Sequence, residues 1–212
     1  MSERAAAAVV FVVSLVVLSY GLGFGLDVDV AVVAGDRVLH GDAPYRDFWT
    51  IYAPGSFVVI ASLFAALGRE LIVVHAAAAA AAAAACVAFW RLLEELAAAG
   101  GRPASRHARV LVLAVFACAI WEPSPSFDSY AVPRVLLLVA WRDWLRAARG
   151  VDPGAWRRAG IAFGVAAFFK HDVAAYGLLG ALLAVAVSVP RGRRGSGARS
   201  LLVGATAGGL PG

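Results

Sequence analysis

The sequence predicts an all-α protein, a polytopic bundle of about seven to eight transmembrane helices, and three observations predict it. Hydrophobic residues make up 61% of the 212 and charged residues only 16%, with a mean hydropathy of +0.78, where a soluble domain typically carries about 25% charge. The charges lie between long apolar blocks instead of alternating with them. The cations gather in short stretches between those blocks, as they do where arginines fix membrane topology. A disordered chain, a secreted disulfide scaffold and an ordinary cytosolic enzyme are thereby excluded.

Crossing the hydrocarbon core takes about 20 apolar residues, and the candidate segments are 5–26, 54–68, 71–90, 110–122, 130–145, 157–170, 173–190 and 200–212. Segment 5–26 follows Arg4, exceeds a signal-peptide core and has no small-x-small cleavage site, so it reads as an uncleaved first helix. Residues 27–53 are the only long polar insertion and form the first outer loop. Within it Asp29, Asp36 and His40 recur at i, i+7 and i+11, with Val28, Val32, Val33 and Leu39 opposite. That pattern predicts an amphipathic helix on the outer membrane surface. Pro44 breaks it, and Tyr45, Phe48, Trp49 and Tyr52 follow at interfacial depth.

Segment 54–68 opens at Pro54-Gly55 and is short enough to be re-entrant. Segment 71–90 contains the run Ala76–Ala85, strongly helical but weakly lipophilic, and therefore suited to packing inside a bundle. Inner loops are then marked by Arg91, Arg102, Arg106 and Arg109, by Arg142, Arg146, Arg149, Arg157 and Arg158, and by Arg191, Arg193, Arg194 and Arg199. This orientation puts the N-terminus in the cytoplasm and leaves residues 27–53, 121–130 and the turn Lys170-His171-Asp172 outside. One transmembrane domain spans 1–212. Because the last segment has no polar end, the chain reads as C-terminally incomplete.

The net charge of +5 is an orientation signal in this setting, and no nucleic-acid partner is expected. Cys86 and Cys118 lie inside apolar runs, far from any CxxC or Cys/His spacing, and imply neither disulfide nor zinc. No metal-ligand set is assigned. His75 reads as structural and His107 as part of an inner basic loop. Trp121, Trp141, Trp144 and Trp156 read as interfacial belt residues.

Chemistry concentrates in residues 27–53. Asp27 and Asp29 stand where the first helix leaves the membrane, and an acid at that depth is costly unless paired or functional. Arg46 and Asp47 follow inside an aromatic frame. Pattern alone leaves an interfacial anchor and a reactive site equally open. Lys170, the only lysine, makes with His171 and Asp172 either a solvated turn or a contact for a phosphate group.

The stretch GDRVLHGDAPYRDFWTIYAPGSFVVIASLFAALG, Gly35 to Gly68, resembles the first outer loop and second helix of bacterial membrane-embedded GT-C glycosyltransferases. These form the clan of protein O-mannosyltransferases and lipid A aminoarabinose transferases. FFKHDVAAYGLLGALLA, Phe168 to Ala184, is similar to a turn that some relatives carry between later helices. The resemblance implies a larger GT-C fold, of which this chain is the N-terminal part, in the bacterial inner membrane. It implies an outward-facing site and a polyprenyl-phosphate sugar as donor, with a lipid, glycan or protein of the envelope as acceptor. The loop acid of the family corresponds to Asp27, with Asp29 next to it. Relatives often carry adjacent Asp-Glu where this chain has Asp-Val-Asp, which leaves the base and any contact to a divalent metal open. Asp128 is the counterpart of a later acid.

A carboxylate beside an acceptor hydroxyl can take its proton as the bond to C1 forms, so Asp27 and Asp29 are the catalytic candidates. Asp36, Arg37, Tyr45, Arg46, Asp47 and Tyr52 are substrate-binding candidates around them. The lipid phosphate leaves with negative charge, for which Arg46, Arg134, Lys170 and His171 are candidate partners. A transporter or flippase-like permease and a non-catalytic assembly subunit are the alternatives. Transporters usually place charges at the midplane in repeated halves, whereas these acids collect at one face and no internal repeat is visible.

Overall fold

In a computed structural model of the chain, the described residues are 26–101, 105–120, 127 and 129–209, together with 5, 8, 9, 11–13, 15 and 16. The side chains of 26–29, 106, 107 and 117–120 are not among them. The described residues are helical, with no strand. The helices are α1 (Leu26–Leu39), α2 (Gly55–Leu67), α3 (Leu71–Ala99), α4 (Arg106–Ile120), α5 (Ala131–Ala148), α6 (Ala155–Phe169), α7 (His171–Ser188) and α8 (Arg191–Gly209). Two of them, α3 and α7, are long and apolar enough to cross a membrane, while α2 is apolar but only 13 residues long. Tyr176, Leu179, Leu183 and Val187 form an exposed stripe along α7. An apolar strip of that length is a liability in water and suits a lipid solvent.

Contacts divide the chain into two compact units, residues 1–87 with 110–132, and residues 88–109 with 133–212. In the first, α1 packs on α2 around Ala31, Ala34, Phe57, Ile60 and Phe64, joined by Val74 and Ala78 of α3 and by Phe127. Gly35 permits the approach: a Cβ there would lie 2.5 Å from Cγ2 of Ile60. The expected apolar side of α1 is corrected here. Val32 and Leu39 pack against the core, but Val33 is 59% exposed and Val30 44%. The face turned to α2 consists of the smallest residues, because only they let the two backbones come close. Of the alanine run, Ala78, Ala79, Ala83 and Ala85 are buried, as is the following Cys86.

The second unit is built on α5 to α8. α6 and α8 touch backbone to backbone through Gly160, Gly164, Gly204 and Gly208. A Cβ on these glycines would strike the carbonyl oxygens of Leu201, Ala205, Arg157 and Ile161 respectively. Two Gly-xxx-Gly faces thus meet, as they do between membrane helices. Trp144 and Trp156, expected as belt residues, are core residues instead. Both are buried, their rings meet edge to face at 5.9 Å, and Trp144 Nε1 donates to the Ala181 carbonyl at 3.1 Å.

Several arginines expected in inner loops lie in helices instead: α3 continues through Arg91 to Ala99, and Arg109, Arg142, Arg146, Arg157 and Arg158 are helical, while Arg149 stands in the turn after α5. α8 begins at Arg191, nine residues before the expected segment. Side-chain donors stabilise these polar ends: Arg193 donates to the Ala147 carbonyl at 2.9 Å, and Arg194 to the Val189 carbonyl at 2.6 Å. Cations there meet carbonyls at the C-terminal ends of helices, where the dipole favours them.

Candidate functional site

α1 ends in a Schellman motif. Gly41 has a φ of 96°, its N–H donates to the Val38 carbonyl at 3.0 Å, and the Asp42 N–H donates to the Arg37 carbonyl at 3.0 Å. The glycine supplies the left-handed residue that this ending needs. The chain then reverses, and Arg37 holds the reversal. Its Nε donates to Asp42 at 2.6 Å and its other nitrogen to the Asp47 carbonyl at 2.9 Å, while the guanidinium lies 4.6 Å over the Phe48 ring.

Asp47 closes the loop from within, accepting from the Ala43 N–H at 2.8 Å and from Arg46 at 2.7 Å. The Arg46 hydrogen bond and then the Ala43 amide hold the Asp47 carboxyl down at about 2. Tyr45 takes a positive φ of 68°, its N–H donates to the Phe48 carbonyl at 2.9 Å, and its hydroxyl donates to the Tyr52 carbonyl at 2.6 Å. Burial pushes the Tyr45 phenol up, so it stays protonated. Asp36 is bound to Arg69 at 2.7 Å, which fastens α1 to the turn after α2. Arg46 projects outward, its side chain 73% exposed.

The reversal returns residues 48–50 alongside α1 and leaves a groove of about 360 Å³ between them. Val30, Val33, Ala34 and Arg37 line one side, and Phe48, Trp49 and Thr50 the other. Trp49 is 83% exposed at its edge. An indole, a guanidinium and a hydroxyl over an apolar floor can hold a polar ring or a phosphate by stacking, charge and hydrogen bonding.

Among the expected site residues, Asp36, Arg37, Tyr45, Arg46, Asp47 and Tyr52 come together here. Asp27 and Asp29 fall in the first turn of α1, before Val30; their side chains lie outside the described residues, as does Asp128. Arg134, Lys170 and His171 belong to the second unit. Lys170 separates α6 from α7 and pairs with Asp172 at 3.8 Å. The exposed His171 lines an apolar groove of about 390 Å³ with Phe163, Ala174, Leu178, Leu202 and Thr206. Arg134 stands half-buried in the first turn of α5. Among the described residues no three His, Cys, Asp or Glu side chains converge in a metal-binding group.

Sequence reasoning did not single out Asp42, Arg69 or Thr50. The first carries a signal, since a Gly-Asp after a helix is where a Schellman ending puts its reversal. Arg69 carries none, because its partner is 33 residues away. In comparisons with family models, with curated proteins and with solved structures, the chain matches none.

Proposed function

We propose that the chain is the membrane-embedded N-terminal part of a glycosyltransferase of GT-C type. It moves a sugar from a polyprenyl-phosphate donor to an envelope acceptor on the outer face of the bacterial inner membrane. In this reading the chain crosses the membrane about seven to eight times, with its N-terminus and arginine-rich ends in the cytoplasm. The observation that carries the proposal is the Arg37-centred reversal, which sets Trp49 and Thr50 across a groove from Val30 and Val33 of α1, the helix whose first turn carries Asp27 and Asp29. An interfacial anchor has no need of so many mutually fixed polar groups.

Asp27 or Asp29 takes the acceptor hydroxyl's proton as that oxygen bonds to C1 of the sugar. The C1–O bond to the lipid phosphate breaks, and its electron pair leaves with the phosphate. Within the same unit, Arg46 is the cation available to meet that charge. Asp47, held well below the acid range needed for a base, fixes the loop and leaves proton transfer to the α1 acids.

Membranes containing the chain within its full protein, supplied with radiolabelled polyprenyl-phosphate sugars, test the reading. Loss of a general base typically costs about 10²–10⁴-fold in rate, so Asp27→Asn is expected to lower transfer about a hundredfold or more, and Asp29→Asn less, with insertion unchanged. Full transfer in both single variants and in the double variant overturns the assignment of the base. Absence of labelled product with every donor, alongside movement of a solute or lipid across vesicles, favours the permease.

A further inference from the structure

The second unit has more cations at one end than its acids can balance. Its acids are Glu94, Glu95, Asp143, Asp152 and Asp172. Glu94 lies 3.6 Å from Arg109, and Glu95 takes both Arg146 and Arg149 at 2.7 and 2.8 Å. Asp143 and Asp152 share Arg158 at 3.1 and 2.6 Å. Asp172 is paired with Lys170 at the start of α7, the far end of that helix from α8's first residues. All five acids are therefore engaged before α8 is considered.

α8 then opens with Arg191, Arg193, Arg194 and Arg199 and contains no acid. Arg193 and Arg194 donate to backbone carbonyls. Arg191 and Arg199 have no ion pair or side-chain hydrogen bond among the described residues. Four guanidinium groups within nine residues repel one another unless an anion from outside the chain sits among them.

A cavity of about 290 Å³ lies against this segment, lined by Gly150, Pro153, Trp156, Arg193, Ser196 and Ser200. Arg193, Ser196 and Ser200 recur at i, i+3 and i+7, so one face of α8 presents a guanidinium and two hydroxyls to it. Gly150, with a φ of 78°, leaves room for that guanidinium: a Cβ there would lie 3.0 Å from an Arg193 nitrogen. Ser196 donates to the Arg193 carbonyl at 3.1 Å and keeps lone pairs, while the Ser200 hydroxyl has no hydrogen bond among the described residues. The buried Trp156 forms the floor.

The position along α8 decides what the anion is. Residues 191–200 are polar and cationic; from Leu201 to Gly209 the helix is apolar and packed on α6. Ser200 marks the change. Leu202 and Val203 are exposed directly beyond it, and Leu183 and Val187 are exposed in the last turns of α7. Charge on one side of a boundary and unpartnered apolar surface on the other match a molecule with a phosphate head and hydrocarbon tails.

We propose that this cavity is a binding site for the phosphodiester headgroup of an anionic phospholipid. Arg193, Ser196 and Ser200 hold the phosphate oxygens, and Arg191 and Arg199 supply the surrounding positive field. The acyl chains lie on the exposed apolar surface of α7 and α8. Basic pockets between membrane helices bind anionic headgroups by this combination, each surface arginine adding about 1 kcal/mol, or about fivefold in affinity. The site is independent of the glycosyltransfer reading.

The test uses the full chain in a neutral maltoside detergent, titrated with dioleoyl phosphatidylglycerol, dioleoyl phosphatidylcholine or glycerol phosphate. Bound lipid is counted by native mass spectrometry, and thermal unfolding is followed in parallel. One phosphatidylglycerol is expected to bind and raise the Tm. Phosphatidylcholine, whose phosphate is the same but whose net charge is zero, is expected to bind about fivefold or more weakly. Ser200→Leu fills the cavity and Arg199→Gln removes charge without touching a structural hydrogen bond; each is expected to weaken phosphatidylglycerol about fivefold while leaving the lipid-free Tm in place. Arg193→Gln is expected to weaken it further, though it also loses the bond to Ala147, so the first two variants decide the matter if it fails to fold. Equal binding of the two lipids, or undiminished phosphatidylglycerol binding in both Ser200→Leu and Arg199→Gln, overturns the proposal. Displacement of the lipid by glycerol phosphate at equal concentration also overturns it, in favour of a soluble phosphate ligand.

Discussion

Arg37, singled out from sequence as a substrate contact, lines the groove and also holds the loop beside it. As part of a GDR…PYRDF stretch it stands out as a substrate contact; in the structure its donors go to Asp42 and to the Asp47 carbonyl. The identity of the clustered residues was legible because polar groups in so apolar a chain are rare. Their partners were not, since Arg37 to Asp47 and Asp36 to Arg69 depend on how the chain reverses. Arg37→Lys keeps the charge and loses the planar fork. The ion pair is 43% and 38% exposed, so it contributes only about 0.2–1 kcal/mol. The Tm is expected to move little. Amides 43–50 are expected to exchange hydrogen faster by several-fold, and unchanged exchange would show that Arg37 does not hold the loop.

Asp47 supplies the pH dependence at the same scale. Its carboxyl is held down to about 2 by Arg46 and the Ala43 amide, against about 3.9 in an unfolded chain. A depressed acid favours the folded loop fully above the unfolded value and loses that contribution as pH falls through the folded one. The loop is therefore expected to be intact above pH ~4 and to open between about 4 and 2. The change in Trp49 emission, isolated by difference from Trp49→Phe, reports it. Asp47→Asn is expected to remove this transition; a transition that persists unchanged in Asp47→Asn assigns it to another carboxyl.

Among the elements, α1 was legible in its period but not in its buried face, and its end is set by Gly41, ahead of the expected break at Pro44. The stripe of Asp29, Asp36 and His40 locates a helix, and the structure has one from Leu26 to Leu39. Hydrophobicity then suggests that the valines are buried, yet Ala31, Ala34 and Gly35 meet α2. Close backbone packing selects for size, which a hydrophobicity pattern does not measure. The same reason hid the α6–α8 contact, whose signal was present as glycines four residues apart at 160 and 164 and at 204 and 208. Gly35→Ala measures the effect. The added methyl would sit 2.5 Å from Ile60 Cγ2, and Ile60 is fully buried. Overpacking costs about 1–3 kcal/mol, partly offset by about 1 kcal/mol of helix propensity. A net loss of up to about 2 kcal/mol is expected, reversing to a small gain in an Ile60→Ala background. Additive effects in that double-mutant cycle would place the clash elsewhere.

For the whole molecule, what composition made legible was the helical class and the presence of helices, α3 and α7, long and apolar enough to cross a membrane. The number of crossings was not, because α2, with 13 residues, reaches only about 20 Å at ~1.5 Å per residue, and α6 stops after 15. The proposed orientation rests on charge alone and can be tested without settling the count. Residues 27–53 hold two arginines and five aspartates, whereas 191–199 hold four arginines and no acid. Arginine-rich flanks are retained in the cytoplasm during insertion, so the proposed orientation expects the two stretches on opposite sides. In a background where Cys86 and Cys118 are replaced by alanine, a single cysteine at the exposed position of Trp49 is expected to react with an impermeant maleimide on intact bacterial cells. A cysteine at the exposed position of Ser196 is expected to react only after the membrane is opened. Labelling of both from the same side would break the link between the arginines and topology, and with it the placement of the Arg37 loop on the outer face where a lipid-linked sugar would have to meet it.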